Sequence, residues 1–515
     1  MNNKKILSIS IFSLFLLIFY TGIAFEIIYN STLIGVYIVL GIFYALNLIV
    51  GFFILISKHR STQTKACWLF TFLLLPLIGI LLFLIFGTIP FSIKNKMDED
   101  GFKNNLFKTY EDNTYSVKFI EKEKKWSSFK FNNGTSNAAI YKKNELEIVK
   151  NNCDILAKCI SLIQRAKKTI IVQMYIIENG VFLYTIANEL IKKSKDGVKV
   201  YFMYDWVGSF RKSNSKLIRL MIKKGIDVSV FNPRGFNPLK SSTNFRSHEK
   251  NLIIDNKTCL YGSFNIADQY LTIKKNANIF KDLSFIISGE IVNSMSINFF
   301  ANYFQFSNAK KKNKQITEKN LKNILQVYQA DNNLKMQFIS SAPNYTIKNI
   351  EDSLMQTFLN AKKRIRIINP FFCPTSVVLR ALNIAGQNNI DVEIMLPGKK
   401  SEKNWSLLMN RSFYSCLLRN NVKVYEYSTF VHAKCFIIDD DLSIFGSSNL
   451  DNRSLKINFE NAIIAKDEKL NSNLNNYFDK MLGNSIMIDK QWIKKNIRIK
   501  NKIQQNILNV YKPLV

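Results

Sequence analysis

Two stretches of this chain carry the same arrangement of reactive side chains. Residues 248–265 read HEKNLIIDNKTCLYGSFN and residues 432–449 read HAKCFIIDDDLSIFGSSN. The chain has 3 histidines in 515 residues, and two of them open these stretches. Each is followed by a lysine and then an aspartate at matched spacing: His248, Lys250 and Asp255; His432, Lys434 and Asp439. The apolar runs LII and FII predict a strand, on which alternate side chains share a face. His and Lys of each set then point one way. The Asp lies an odd number of residues from its His and points the other way, as expected of a group that anchors the turn that follows. After a glycine that admits close backbone approach, Ser263 and Asn265, and Ser447 and Asn449, again stand two apart.

Brought face to face, two such sets make a pocket with two imidazoles, two ammoniums and several neutral donors. That combination suits a phosphodiester. Lysines and neutral donors (Ser263, Asn265, Ser447, Asn449) balance the non-bridging oxygens and the charge that grows in the transition state. One imidazole can attack phosphorus, and the other can protonate the departing alkoxide and later deprotonate an incoming alcohol. An unperturbed imidazole pKa of about 6.5 suits both tasks. A lone histidine would more simply satisfy a local hydrogen bond; two copies with matched spacing argue against that. Seven cysteines are scattered without a CxxC, and with so few histidines they offer no zinc set. The expectation is a reduced protein that uses neither metal nor cofactor.

These motifs need elements to hold them, and the chain supplies them twice. ISLIQRAKK (160–168) reads as a helix and TIIVQMYII (169–177) as a buried strand. VKVYFMYD (198–205) is a strand, KLIRLMIKKG (216–225) a helix ending at Gly225, and IDVSVF (226–231) a third strand. The pattern then restarts: AKKRIRIINPF (361–371), NIDVEIML (389–396) and NVKVYEY (421–427) match AKKTIIVQMY, GVKVYFM and GIDVSVF in the same order. The reading is a duplicated α/β protein, with repeats at 145–306 and 336–480 joined by a linker, 307–335, whose start reads as a solvated connection or a charged helix. Residues 91–144 read as a polar tether. The tail, 481–515, mixes Ile with Lys as a basic amphipathic segment that packs on the body or lies on a membrane.

Lys+Arg 71 against Asp+Glu 38 gives a net charge of +33. Such a balance points to a polyanion, nucleic acid or anionic lipid. Residues 1–90 favour lipid, because segments 6–25, 33–56 and 66–87 are uncharged and long enough to span a bilayer. Basic clusters at Lys4–Lys5, Lys58–Lys65 and Lys94–Lys96 belong on one side of the membrane. Two full spans and one segment that bends back at Pro76 and Gly79 satisfy this, and place the body in the cytoplasm.

The repeated HxK-x4-D with its Gly/Ser/Asn segment resembles the phospholipase D superfamily. More narrowly, WLFTFLLLPLIGILLFLIFG (68–87), YDWVGS, NFRSHEK, IMLPGKK, YEYSTFVHAK and GSSNLDNRSLKINFE resemble its bacterial cardiolipin synthases over nearly the whole chain after the first apolar segment. The resemblance implies two phospholipase D-like α-β-α domains, each a mixed sheet flanked by helices, facing each other behind an N-terminal transmembrane helical region. It implies a cell-membrane enzyme that joins two phosphatidylglycerol molecules into cardiolipin and glycerol, with His248 as nucleophile and His432 as general acid and base. The resemblance gives Glu460 the role of orienting His432, and Asp282 that of serving His248. Phosphatidylglycerol and anionic membrane lipid are the expected partners; nucleic acid and metal are not. Glu249 departs from the family's usual basic residue and is expected to alter the charge at the pocket rim. The same groups would serve a phospholipase D hydrolase, another phosphatidyltransferase, or an inactive lipid-binding scaffold.

Overall fold

The computed structural model describes residues 34–57, 62–76, 78–87, 105–110, 128–233, 245–271, 280–308, 318–343, 345, 347–398, 404–497 and 499–511. The apolar segment 6–25 lies outside them.

The first repeat is a seven-stranded sheet. Its order is Asn144–Val149, Ser284–Gly289, Thr258–Gly262, Asn251–Ile254, Thr169–Met174, Lys199–Asp205 and Asp227–Phe231. The last three are parallel and the others antiparallel. The second repeat uses the same spatial order: Lys335–Ser341, Glu460–Lys466, Leu442–Gly446, Cys435–Ile438, Arg364–Ile368, Asp391–Pro397 and Lys423–Tyr427. TIIVQM is buried along its whole length, as a central strand covered on both faces must be. Local chemistry marks the helix ends. Asn214 caps Ser215–Lys223 by accepting from the Lys216 and Leu217 amides, and Asp467 caps Glu468–Leu482 through the Leu470 amide.

The two sheets share a core. Phe285 stacks on Phe445 with ring centroids 3.9 Å apart, and Phe459 of the second repeat meets Phe231 of the first at 5.1 Å. Helix Ile291–Phe306 is buried along most of its length in the same core. Burial of this apolar area from both halves is what holds them face to face.

One sequence expectation needs correction. The stretch 91–144 is not a bare tether. Helix Ser128–Ser136 docks on the second repeat, with Phe129 buried and Asn132 bonded to Gln337. Ile140–Tyr141 then adds an edge strand to the second sheet, and Asn144–Val149 is an edge strand of the first. A polar average concealed the few apolar residues that dock. In the linker, Glu318–Ile324 is helical and buries Leu321 and Ile324. In the tail, Ser485–Ile488 extends the second sheet, and Gln505 of helix Ile499–Val510 donates to the Leu408 carbonyl at 3.2 Å.

Near the N-terminus, Ile34–Ile56 is one helix of 23 uncharged residues. Residues 66–87 divide into Thr62–Leu74 and Gly79–Phe86. In a continuous helix Trp68 and Phe83 would lie about 22 Å apart. Their rings are 5.0 Å apart, so the second limb doubles back on the first. Asn47 covers the break by donating to the Pro76 carbonyl at 2.6 Å. Gly79 permits the return, since a Cβ there would lie 3.3 Å from the Phe72 Cα. Among the described residues no helix is long and apolar enough to cross a membrane.

Candidate active site

Each histidine lies just before a short central strand, Asn251–Ile254 or Cys435–Ile438. What fixes each one comes from the other repeat. The His248 amide donates to the Phe459 carbonyl at 2.9 Å, and the His432 amide to the Lys281 carbonyl at 2.7 Å. Short parallel bridges, Ser247 with Phe459 and Phe430–Val431 with Phe280–Lys281, carry the chains past one another. The residue after each bridge partner reaches the imidazole. Glu460 lies 3.0 Å from His248 Nδ1, and Asp282 lies 3.0 Å from His432 Nδ1.

A carboxylate can only accept, so Nδ1 of each ring carries the proton and Nε2 carries the lone pair. Ser447 donates to Glu460, and Ser263 donates to Asp282. The result is a crossed pair of hydrogen-bonded chains, Ser447–Glu460–His248 and Ser263–Asp282–His432. Both lysines sit beside their histidines, each ammonium donating to the carbonyl of its own His, and Lys434 Nζ lies 3.2 Å from His432 Nε2.

Burial sets the protonation states. It pushes His248 down to about 4, against the pull of Glu460 and with help from Lys250 and Lys434. Burial and Lys434 push His432 down to about 3, against Asp282. Both imidazoles are therefore neutral near pH 7. Burial also lowers Lys250 to about 7, opposed by Glu460, and Lys434 to about 8, opposed by Asp282. Burial works against charge on Asp282 and Glu460 as well, but the facing histidine and lysine hold both below the ordinary carboxylate range. Lys434 acts on His248, and Lys250 acts on His432. The two motifs form one electrostatic site.

Comparison with known proteins gives the same frame. The family description "Cardiolipin synthase, PLD-like domain" matches residues 159–299 and 354–482, and a phospholipase D-nuclease N-terminal family matches 45–87. A cardiolipin synthase of Staphylococcus aureus (strain Mu50) is 30% identical over 93% of this chain and 95% of its own. The chain belongs to the cardiolipin synthase family of phospholipase D-like proteins. The major cardiolipin synthase ClsA of Bacillus subtilis (strain 168) is 28% identical over 83% of this chain and 89% of its own. A Haemophilus influenzae phosphatidylserine synthase structure covers 72% of this chain and 95% of its own, with a TM-score of 0.55 and 16% identity, which is a likeness of fold.

Within this cardiolipin synthase fold, several expected roles change. Glu460 and Asp282 are exchanged relative to expectation: Glu460 serves His248, and Asp282 serves His432. The Ser263 and Ser447 hydroxyls, expected to donate to phosphate, donate instead to these carboxylates. Asn265 is engaged by the Ile176 amide and by the Tyr270 hydroxyl, whereas buried Asn449 keeps an Oδ1 with no hydrogen-bond partner. Asp255 and Asp439 stand at the far ends of the motif strands and touch no reacting group. Asp255 accepts from the Lys167, Lys168 and Thr169 amides, and Asp439 from those of Lys362, Lys363 and Arg364. They anchor the start of the neighbouring strand rather than the turn that follows.

Glu249 is not at the rim. It is buried on the opposite strand face, where Gln173, Asn298 and Asn302 donate to it at 2.6–2.8 Å. Sequence reasoning missed Tyr175, whose ring meets His248 edge-on at 4.9 Å, and Tyr270, whose hydroxyl lies 3.3 Å from His432 Nδ1. Neither tyrosine stands at a matched position of the repeated motif, so spacing gave no sign of them.

Proposed function

We propose that the paired sites transfer a phosphatidyl group between two phosphatidylglycerol molecules, giving cardiolipin and glycerol. The observation that carries this is the crossed pair of neutral, carboxylate-backed imidazoles beside two buried lysines. His248 Nε2 attacks phosphorus while Glu460 holds the positive charge that forms on the ring. Lys250, Lys434 and the Nδ2 amide of Asn449 donate to the phosphate oxygens. The bound anion favours charged neighbours and lets His432 take up the proton that it then gives to the departing glycerol alkoxide. His432, neutral again, deprotonates the hydroxyl of the second phosphatidylglycerol, which breaks the His248–phosphorus bond and forms the new P–O bond.

We also propose that residues 34–87 hold the body at a cell membrane, with helix Ile34–Ile56 and the hairpin 62–86 seated in its apolar layer, and that the body is cytoplasmic. The uncharged helix supports this, as do exposed Leu48, Phe52, Phe53 and Leu73, which water would disfavour. The asparagine-covered break at Pro76 suits a return inside a bilayer.

The test is product analysis. The purified full chain in detergent micelles with phosphatidylglycerol alone should release glycerol and cardiolipin in equal amounts, unchanged by EDTA. Phosphatidic acid as the sole product would make it a hydrolase. Activity lost in EDTA and restored by a divalent ion would refute the metal-free route.

A further inference from the structure

The two imidazoles differ in their approaches. A ladder of rings begins at His432. Phe280 stacks on the imidazole at 5.8 Å and 19°, Phe430 follows at 4.7 Å, Phe371 at 6.2 Å, and Trp405 lies parallel to Phe371 at 6.5 Å and 11°. Phe430 is buried, but Phe280, Phe371 and Trp405 are only partly so, and the ladder keeps an accessible apolar side. Its outer end has a direction. Trp405 is on helix Asn404–Ser412, against which helix Ile499–Val510 packs, with Gln505 donating to the Leu408 carbonyl. The ladder therefore runs from the imidazole outward to the partly exposed ring of Trp405.

The chemistry assigns an occupant. In an in-line displacement the nucleophile and the leaving group stand on opposite sides of phosphorus. With His248 bonded to phosphorus, glycerol departs on the His432 side, and the acceptor alcohol must arrive where it left. Water can occupy that place as well, giving phosphatidic acid. An acceptor that is itself a lipid carries apolar bulk, which must trail outward from His432.

We infer that the ladder Phe280–Phe430–Phe371–Trp405 binds the apolar body of the acceptor lipid and so decides between a lipid alcohol and water. This inference rests on the cardiolipin reading. The acceptor hydroxyl loses its proton to His432 Nε2, the His248–phosphorus bond breaks, and the oxygen–phosphorus bond forms. The rings act by placing the hydroxyl and occupying the space that water would fill.

The test uses the full chain in phosphatidylglycerol vesicles, with cardiolipin and phosphatidic acid quantified together. Exchange of labelled free glycerol into phosphatidylglycerol is followed in parallel, since it needs the phosphoryl-enzyme but no lipid acceptor. Trp405→Ala should lower the cardiolipin to phosphatidic acid ratio about tenfold, as loss of a pocket's apolar contact does, with glycerol exchange within about twofold of the unaltered chain. Trp405→Phe should restore most of the ratio; Phe371→Leu serves as a second probe should Trp405→Ala unfold. An unchanged ratio in Trp405→Ala and Phe371→Leu, while the unaltered chain makes cardiolipin, would overturn the ladder's role alone. Exchange falling in step with cardiolipin would also overturn it. An unaltered chain that makes no cardiolipin would remove the underlying reading and this inference with it.

Discussion

The two repeats share a strand order and a catalytic motif but surround their imidazoles differently. His248 has Tyr175 edge-on, and the segment before it is fastened by a buried polar cluster: Asp205 accepts from the Ser247 and Gly208 amides and faces Arg246 at 3.7 Å. His432 is instead walled by Phe280, Phe430 and Tyr270. The position corresponding to Asp205 in the second repeat falls on Pro397, and no matching carboxylate stands there. Duplication therefore supplied two equivalent imidazoles, and divergence gave them different walls. The His248 side is held by a polar cluster, which on the proposed mechanism suits the group that attacks. The His432 side is lined by aromatic rings, which on the proposed mechanism suits the side where alcohols leave and arrive.

The sharpest way to break this comparison is to separate the first chemical step from the second. With a phosphodiester donor bearing an acidic phenol, departure needs no proton. His432→Ala should keep a burst of phenol while losing cardiolipin synthesis by about 10⁴-fold; His248→Ala should lose both. Because the carboxylates are crossed, Glu460→Gln should depress the burst about 10²-fold or more, whereas Asp282→Asn should spare it and slow turnover. A burst that survives Glu460→Gln and disappears in Asp282→Asn would exchange the two roles.

A smaller effect concerns charge. Lys250 at about 7 and Lys434 at about 8 are partly neutral in the empty site at neutral pH. A bound phosphodiester anion favours their charged forms and raises both values, so binding takes up protons. Uptake by the lysines should be greatest near pH 8, where Lys250 contributes the larger share, and fade below about pH 6, where both are already charged and only the imidazoles can still take up a proton. Calorimetry of a short-chain phosphodiester in buffers of different ionisation enthalpy reads this directly; proton release at pH 8 would contradict the arrangement.

The smallest effect should be equal in the two halves. Asp255→Asn and Asp439→Asn each weaken a carboxylate that receives backbone amides away from the imidazoles. Each should cost about 1–3 kcal/mol of stability in thermal unfolding and leave the catalytic rate within about threefold. A hundredfold loss of rate with unchanged melting would return these residues to the chemistry.

Much of this was legible in the residues. The repeated HxK, the Gly/Ser/Asn segments and the matching helix–strand runs gave the duplication and the family. Strand alternation placed His with Lys and turned Asp255 and Asp439 away. The bend at Pro76 and Gly79 could also be read from residue types. Less legible were the stretches around Phe129, Ile140 and Leu321, because a few docking apolar residues vanish in a polar average.

What the sequence determined alone is what depends on near neighbours: which side chains share a strand face, where helices are capped, and that the reactive set occurs twice. Tertiary structure decided which carboxylate meets which imidazole. Glu460 and His248 lie 212 residues apart, and Asp282 and His432 lie 150 apart. They are joined by inter-repeat bridges that no spacing rule encodes. The same packing removed these groups from water, which made the imidazoles neutral and aligned rings from both repeats beside His432. Burial and long-range pairing are properties of the assembled core, so only the folded chain could assign the partners.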